Sequence, residues 1–140
     1  MFKNRQPEQD VQADTLYLAA LLGWDWYHPY HSMKSREGYP DLTLWHPIKA
    51  MILFREMKSA RGHLSEDQVK VGWGLLCAGA DWDVWGPEEW QDGTVEAVLR
   101  GDDKDYFPVP DLRMIEAIER WVPKKHRRKM LLSCDLDQHL

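Results

Sequence analysis

Acidic residues outnumber basic ones by 23 to 18 in a chain of 140, a formal charge of −5, which excludes a protein that coats nucleic acid by bulk charge and leaves binding to local basic patches or a metal. The length suits one domain with a real core, and no apolar run is long enough to cross a membrane. The opening residues Met1-Phe2-Lys3-Asn4-Arg5-Gln6 lack a secretory apolar stretch, and Cys77 and Cys134 form no metal-type cluster, so a reducing, cytoplasmic setting is expected.

Residues 7 to 22 read as a helix. Glu8, Val11, Thr15, Leu18 and Leu22 fall on one stripe, with Gln12 and Ala19 beside them. Gly23 is the expected cap. An acid in the first turn is also what the helix dipole favours. Trp24-Asp25-Trp26-Tyr27 predicts a short strand. A polar loop follows, holding His28, His31, Ser32, Lys34, Ser35 and Arg36. His28 and His31 lack the partners of a zinc site. They are either solvated or in contact with substrate. Lys34 and Arg36 suit phosphate contact, which needs only charge and reach.

The next stretch predicts a β-hairpin. Leu42-Thr43-Leu44-Trp45 is the first strand, His46-Pro47-Ile48-Lys49 the turn, and Met51-Ile52-Leu53-Phe54 begins the return. Alternation puts Ile52, Phe54, Glu56 and Lys58 on one face. An acid and a lysine that continue a core-facing row are costly to desolvate unless paired or bound. Asp41 starts the first strand, so the hairpin brings it to Glu56 and Lys58. Two such carboxylates suit a hard divalent cation, Mg²⁺ or Mn²⁺, with the Met57 carbonyl as a further ligand. A metal there polarises a phosphate and acidifies a bound water, which Lys58 would orient. The bland alternative is a turn aspartate and a Glu–Lys pair at a strand end.

Residues 65 to 78 predict a second helix. Ser65 and Gln68 have capping-box spacing. Gln68 also shares a stripe with Leu64, Val71, Leu75 and Ala78. Gly72 and Gly74 would allow close packing on the sheet. Residues 80 to 85 alternate as a third core strand, and Gly86-Pro87 closes it. Eight tryptophans are expected mainly in the core. Residues 101 to 110 read as a linker between a domain of residues 1–100 and a helical extension of 101–140. Asp111 is the expected cap of a helix over 112–121, stopped by Pro123. The basic run Lys124, Lys125, Arg127, Arg128 and Lys129 is either solvated surface or a DNA contact away from the scissile bond.

Gly38-Tyr39-Pro40-Asp41-Leu42, Glu56-Met57-Lys58-Ser59, Leu64-Ser65-Glu66-Asp67-Gln68 and Ala78-Gly79-Ala80 together resemble the VRR-NUC family of the PD-(D/E)xK nuclease superfamily, over roughly residues 6 to 100. The resemblance implies a restriction-endonuclease-like α/β core, a mixed sheet flanked by helices, and Mg²⁺- or Mn²⁺-dependent DNA hydrolysis. It implies that Asp41, Glu56, Lys58 and Gln68 are catalytic, and that Glu8, with Asp10 as rival, joins Asp41, Glu56 and Met57 at the metal. Structure-specific, Holliday-junction-resolvase-like enzymes of phages belong to the family, which implies branched or flapped DNA and a homodimer. Residues 88 to 100 resemble the short helix that ends the family domain. Val71 stands where the family commonly has an aromatic residue, and Arg55 where it commonly has an apolar one. Arg55 thus questions burial of the outer sheet face. The alternatives are a non-catalytic nucleic-acid-binding module with this fold, or a restriction- or exonuclease-type enzyme on linear DNA.

Overall fold

The computed structural model describes residues 8–29, 36–102 and 107–139, without the side chains of Glu8 and Gln9. Chain order is α1 (Glu8–Leu21), β1 (Asp25–Tyr27), β2 (Leu42–His46), β3 (Met51–Met57), α2 (Glu66–Cys77), β4 (Asp81–Trp85), α3 (Pro87–Gln91), α4 (Thr94–Arg100), α5 (Pro110–Trp121) and α6 (Lys124–Ser133), then a 3-10 turn at Asp137–His139. The strands form one mixed sheet in the order β1-β2-β3-β4. β2 runs antiparallel to both β1 and β3, and β4 runs parallel to β3. The architecture is therefore α/β, with six α-helices among the described residues. None of them is long and apolar enough to cross a membrane.

The sheet lies between two helical layers because both of its faces carry apolar rows. Leu42, Leu44, Leu53, Met57 and Trp85 pack with Val11 and Ala19 of α1 and Val95 and Leu99 of α4. Trp82 and Val84 pack on the other side with Val69 and Leu76 of α2, Met114, Ala117, Ile118 and Trp121 of α5, and Met130 and Leu131 of α6. Of the expected α1 stripe, Val11 and Thr15 are buried and Leu18 and Leu22 half-buried, while Ala19, expected beside it, is the third buried residue. Gly23 ends the helix at φ +88, a conformation that costs glycine little.

Several expectations need correction. The buried stripe of α2 is Val69, Gly72 and Leu76, while Ala78 is exposed. Gly72 sets this rotation: a Cβ there would stand 2.4 Å from the Trp82 ring, whereas one on Gly74 would meet nothing. Ile52 does not face a core and is 59% exposed. Residues 88 to 100 are two helices, broken at Gly93 with φ +88. The cap of α5 is Val109, with Pro110 in the first turn and no side-chain cap bond. Arg55 is buried at 2% exposure. Its charge is met by Asp81 at 3.1 Å, and its guanidinium also lies 4.6 Å from the Trp85 ring centre. The outer face is therefore covered, around an ion pair.

The expected C-terminal extension shares its core with α2 and β4. The Leu64 N–H donates to the Trp121 carbonyl at 2.8 Å, tying the end of α5 to the turn that starts α2.

Candidate active site

The antiparallel ladder of β2 and β3 pairs Leu42 with Arg55. The residues one step beyond this pair are Asp41 and Glu56. Asp41 Oδ2 accepts the Met57 N–H at 2.8 Å, which fixes the carboxylate beside the residue after Glu56. In an extended strand the N–H and C=O of a residue point to the same edge, so the Met57 carbonyl faces the Asp41 side. The Lys58 N–H continues the parallel ladder by donating to the Trp85 carbonyl at 3.0 Å. This keeps Lys58 in register with Glu56, on the face towards α2.

Glu56 is 2% exposed. Its Oε1 accepts from Gln68 Nε2 at 3.2 Å and lies 3.9 Å from Lys58 Nζ. Lys58 Nζ donates to Gln68 Oε1 at 3.0 Å. The same Oε1 accepts the Ser65 N–H at 2.9 Å, while Ser65 Oγ accepts the Gln68 N–H at 3.1 Å. The capping box and the contact with the lysine, which compete for one side chain in the sequence, are made together. Gln68 uses its two-sided amide to hold the acid, the ammonium and the start of α2.

The loop that leads into β2 is pressed onto α2. Gly38 has φ +85, and a Cβ there would stand 2.3 Å from the Asp67 carbonyl oxygen. Gly62 closes over the lysine, because its Cβ would come 3.0 Å from Lys58 Cδ.

The remaining residues singled out in the sequence separate into groups. Both ring nitrogens of His28 are engaged by the protein, one with the Asp41 carbonyl at 2.9 Å and one with Gln12 Nε2 at 3.4 Å. Arg36 is exposed. His31, Lys34 and the side chain of Glu8 lie outside the described residues. In the basic run, Lys124, Lys125 and Arg128 are exposed. Arg127 donates to the Val122 carbonyl at 3.0 Å, and Lys129 pairs with Glu66 at 3.1 Å. That pair brings α6 to the helix start that also bears Gln68. A groove of about 400 Å³ opens between Gly62 and His63 on one side and Arg120 and Trp121 on the other.

A fit to Mg²⁺ or Mn²⁺ can be tested on the donors. No group of three His, Cys, Asp or Glu residues that could hold a metal ion occurs among the described residues. The donors that are present are oxygens, two carboxylates and a main-chain carbonyl. Mg²⁺ is commonly held by one or two carboxylates with several waters, so this set fits a hard cation completed by water and phosphate. It does not fit zinc.

Sequence reasoning missed the Arg55–Asp81–Arg113 cluster, where Arg113 Nη1 reaches Asp81 at 3.0 Å. Burial pushes the Asp81 carboxyl up, but the two guanidinium groups outweigh it and hold the carboxyl below the usual range. The only sequence signal was two acids alternating on an otherwise apolar strand. No protein-family model matches the chain, and no curated protein or solved structure matches it significantly.

Proposed function

We propose that the protein is a metal-dependent nuclease that hydrolyses DNA phosphodiester bonds, with a restriction-endonuclease-like core of the VRR-NUC type. One observation carries this reading. A β-hairpin end and a helix start bring Asp41, Glu56, Lys58 and Gln68 to one end of the sheet: Gln68 bonds Lys58 at 3.0 Å and Glu56 at 3.2 Å, and Asp41 accepts the N–H of the intervening Met57 at 2.8 Å. Asp41 and Glu56, with the Met57 carbonyl, would hold Mg²⁺ or Mn²⁺. When bound, the cation supplies charge against the scissile phosphate and a more acidic water. Lys58 would hold the attacking water and the developing negative charge. Gln68 fixes the direction of the Lys58 ammonium through Oε1 and that of the Glu56 carboxylate through Nε2. Lys124, Lys125 and Arg128 would take phosphates away from the scissile bond. The test is a cleavage panel of linear, flapped and four-way DNA, with RNA, in Mg²⁺, Mn²⁺ or chelator. Metal-dependent cleavage of DNA is the expected result, with branched or flapped forms preferred. No cleavage of any substrate in either metal would refute the reading.

A further inference from the structure

His28 follows β1 and stands outside the group that would carry the chemistry. Its Nδ1 lies 2.9 Å from the Asp41 carbonyl oxygen. A carbonyl only accepts, so this nitrogen bears the proton. Nε2 is then the acceptor and faces Gln12 Nε2 at 3.4 Å, which favours that tautomer over the other. Gln12 lies on α1, one turn after Glu8. Asp41 is therefore held at two points. His28 holds its main chain from the α1 side, and the Met57 N–H holds its carboxylate at 2.8 Å from the β3 side.

We propose that His28 is a positioning residue for Asp41: backed by Gln12, it sets the main chain at Asp41 so that the carboxylate is presented at the hairpin end, and thereby sets metal affinity. The proposal rests on the reading of Asp41 as a metal ligand given above. Partners that orient a ligand from behind commonly change metal affinity about 10- to 100-fold when replaced. Here the partner grips the main chain. A grip on the main chain limits how far the whole residue can swing. A tie that served only to pack α1 on the hairpin would change melting temperature and leave the carboxylate's own contacts alone.

The experiment uses the full chain without nucleic acid. His28→Leu, His28→Asn and Gln12→Leu are compared with the unaltered protein in three readouts: Mn²⁺ affinity by electron paramagnetic resonance, hydrogen exchange at the Met57 amide relative to Leu53 and Arg55, and melting temperature. His28→Leu is expected to weaken Mn²⁺ binding by about tenfold or more and to speed exchange at Met57 selectively. In His28→Asn the side-chain amide nitrogen stands near the place of Nδ1, so both readouts should return to within about threefold of the original. Gln12→Leu should fall between. Equal behaviour of the leucine and asparagine variants overturns the proposal, as does unchanged Mn²⁺ affinity in His28→Leu. If the unaltered chain binds no Mn²⁺ but Met57 exchange responds as expected, the metal reading falls and the positioning of Asp41 stands. Should His28→Leu fail to fold, Gln12→Leu decides: unchanged affinity and unchanged Met57 exchange overturn the proposal.

Discussion

Gln68→Ala separates a helix cap from a catalytic support, because the two roles differ in what the substitution removes. The cap half is the Ser65 N–H, which loses its 2.9 Å acceptor, worth about 1 kcal/mol. The other half is the pair beneath it. Lys58 and Glu56 have side chains only 12% and 3% exposed, and each loses a hydrogen bond to a charged group, worth about 1.5–3 kcal/mol. Their 3.9 Å separation leaves room to close into a direct ion pair, which recovers part of that. These losses come to about 4–7 kcal/mol, of which direct contact between two nearly buried opposite charges returns about 2–4, so the net cost of Gln68→Ala is about 2–3 kcal/mol. Ser65→Ala removes only the reciprocal bond and costs about 1 kcal/mol. At about 3 °C per kcal/mol for a chain of this size, the melting temperature should fall by about 6–9 °C in the first variant and about 3 °C in the second. Single-turnover cleavage at saturating enzyme should drop by about a hundredfold in Gln68→Ala, the scale of a misplaced catalytic group, and stay unchanged in Ser65→Ala. Matching melting shifts with unchanged cleavage in both variants would show that Gln68 is a cap and nothing more.

Asp41→Asn and Glu56→Gln should each lower metal-dependent cleavage by more than about a hundredfold while far-ultraviolet circular dichroism stays that of the original; near-normal turnover in either refutes the site. Replacing Lys124, Lys125 and Arg128 with glutamine, sparing Arg127 and Lys129 for their structural bonds, should flatten the logarithmic salt dependence of DNA affinity by about 0.7–0.9 for each phosphate that the protein no longer neutralises, with cleavage at saturation intact. An unchanged slope would make the run ordinary solvated surface. Gly38→Ala should cost about 2 kcal/mol or more, from a side chain at positive φ and a clash with backbone that cannot yield, read as a lower melting temperature. Asp81→Asn should cost about 3 kcal/mol at pH 7 by leaving Arg55 buried without its partner. Because the Asp81 carboxyl is held below its ordinary range, its contribution is present above the unfolded-state value and fades as pH falls through the folded one. The gap between original and variant should therefore close in acid, and a gap that widens there would contradict the ion-pair account.

The hairpin was legible because period two is a strong signal over a short distance. Once Leu42 and Arg55 are paired, the convergence of Asp41 with Glu56 follows from alternation and register. The α2 stripe was less legible. Helical spacing pointed to the stripe of Leu64, Gln68, Val71, Leu75 and Ala78, whereas the buried one is set by Gly72 fitting against Trp82, a contact between distant parts of the chain. Arg55 reads as a surface residue in any window, and its burial is made tolerable by the Asp81 carboxylate of the neighbouring strand with the Phe54 and Asp81 carbonyls. His28 was visible as a loop histidine, but its use of both ring nitrogens depends on Gln12, sixteen residues earlier. The basic run was legible as charge, whereas its division into bonded and exposed side chains depends on Val122 and Glu66.

The bond from the Leu64 N–H to the Trp121 carbonyl bears on the order in which the molecule can be completed during synthesis. All the residues proposed for chemistry precede residue 70, yet the layer behind α2 comes from residues 114 to 136. A nascent chain therefore holds the hairpin, the acids and the lysine well before it holds the wall that presses Gln68 towards them. Domains fold as units as they emerge, and this unit closes only when its last helices arrive. On the function proposed above, the site would be complete only once residues 114 to 136 have emerged.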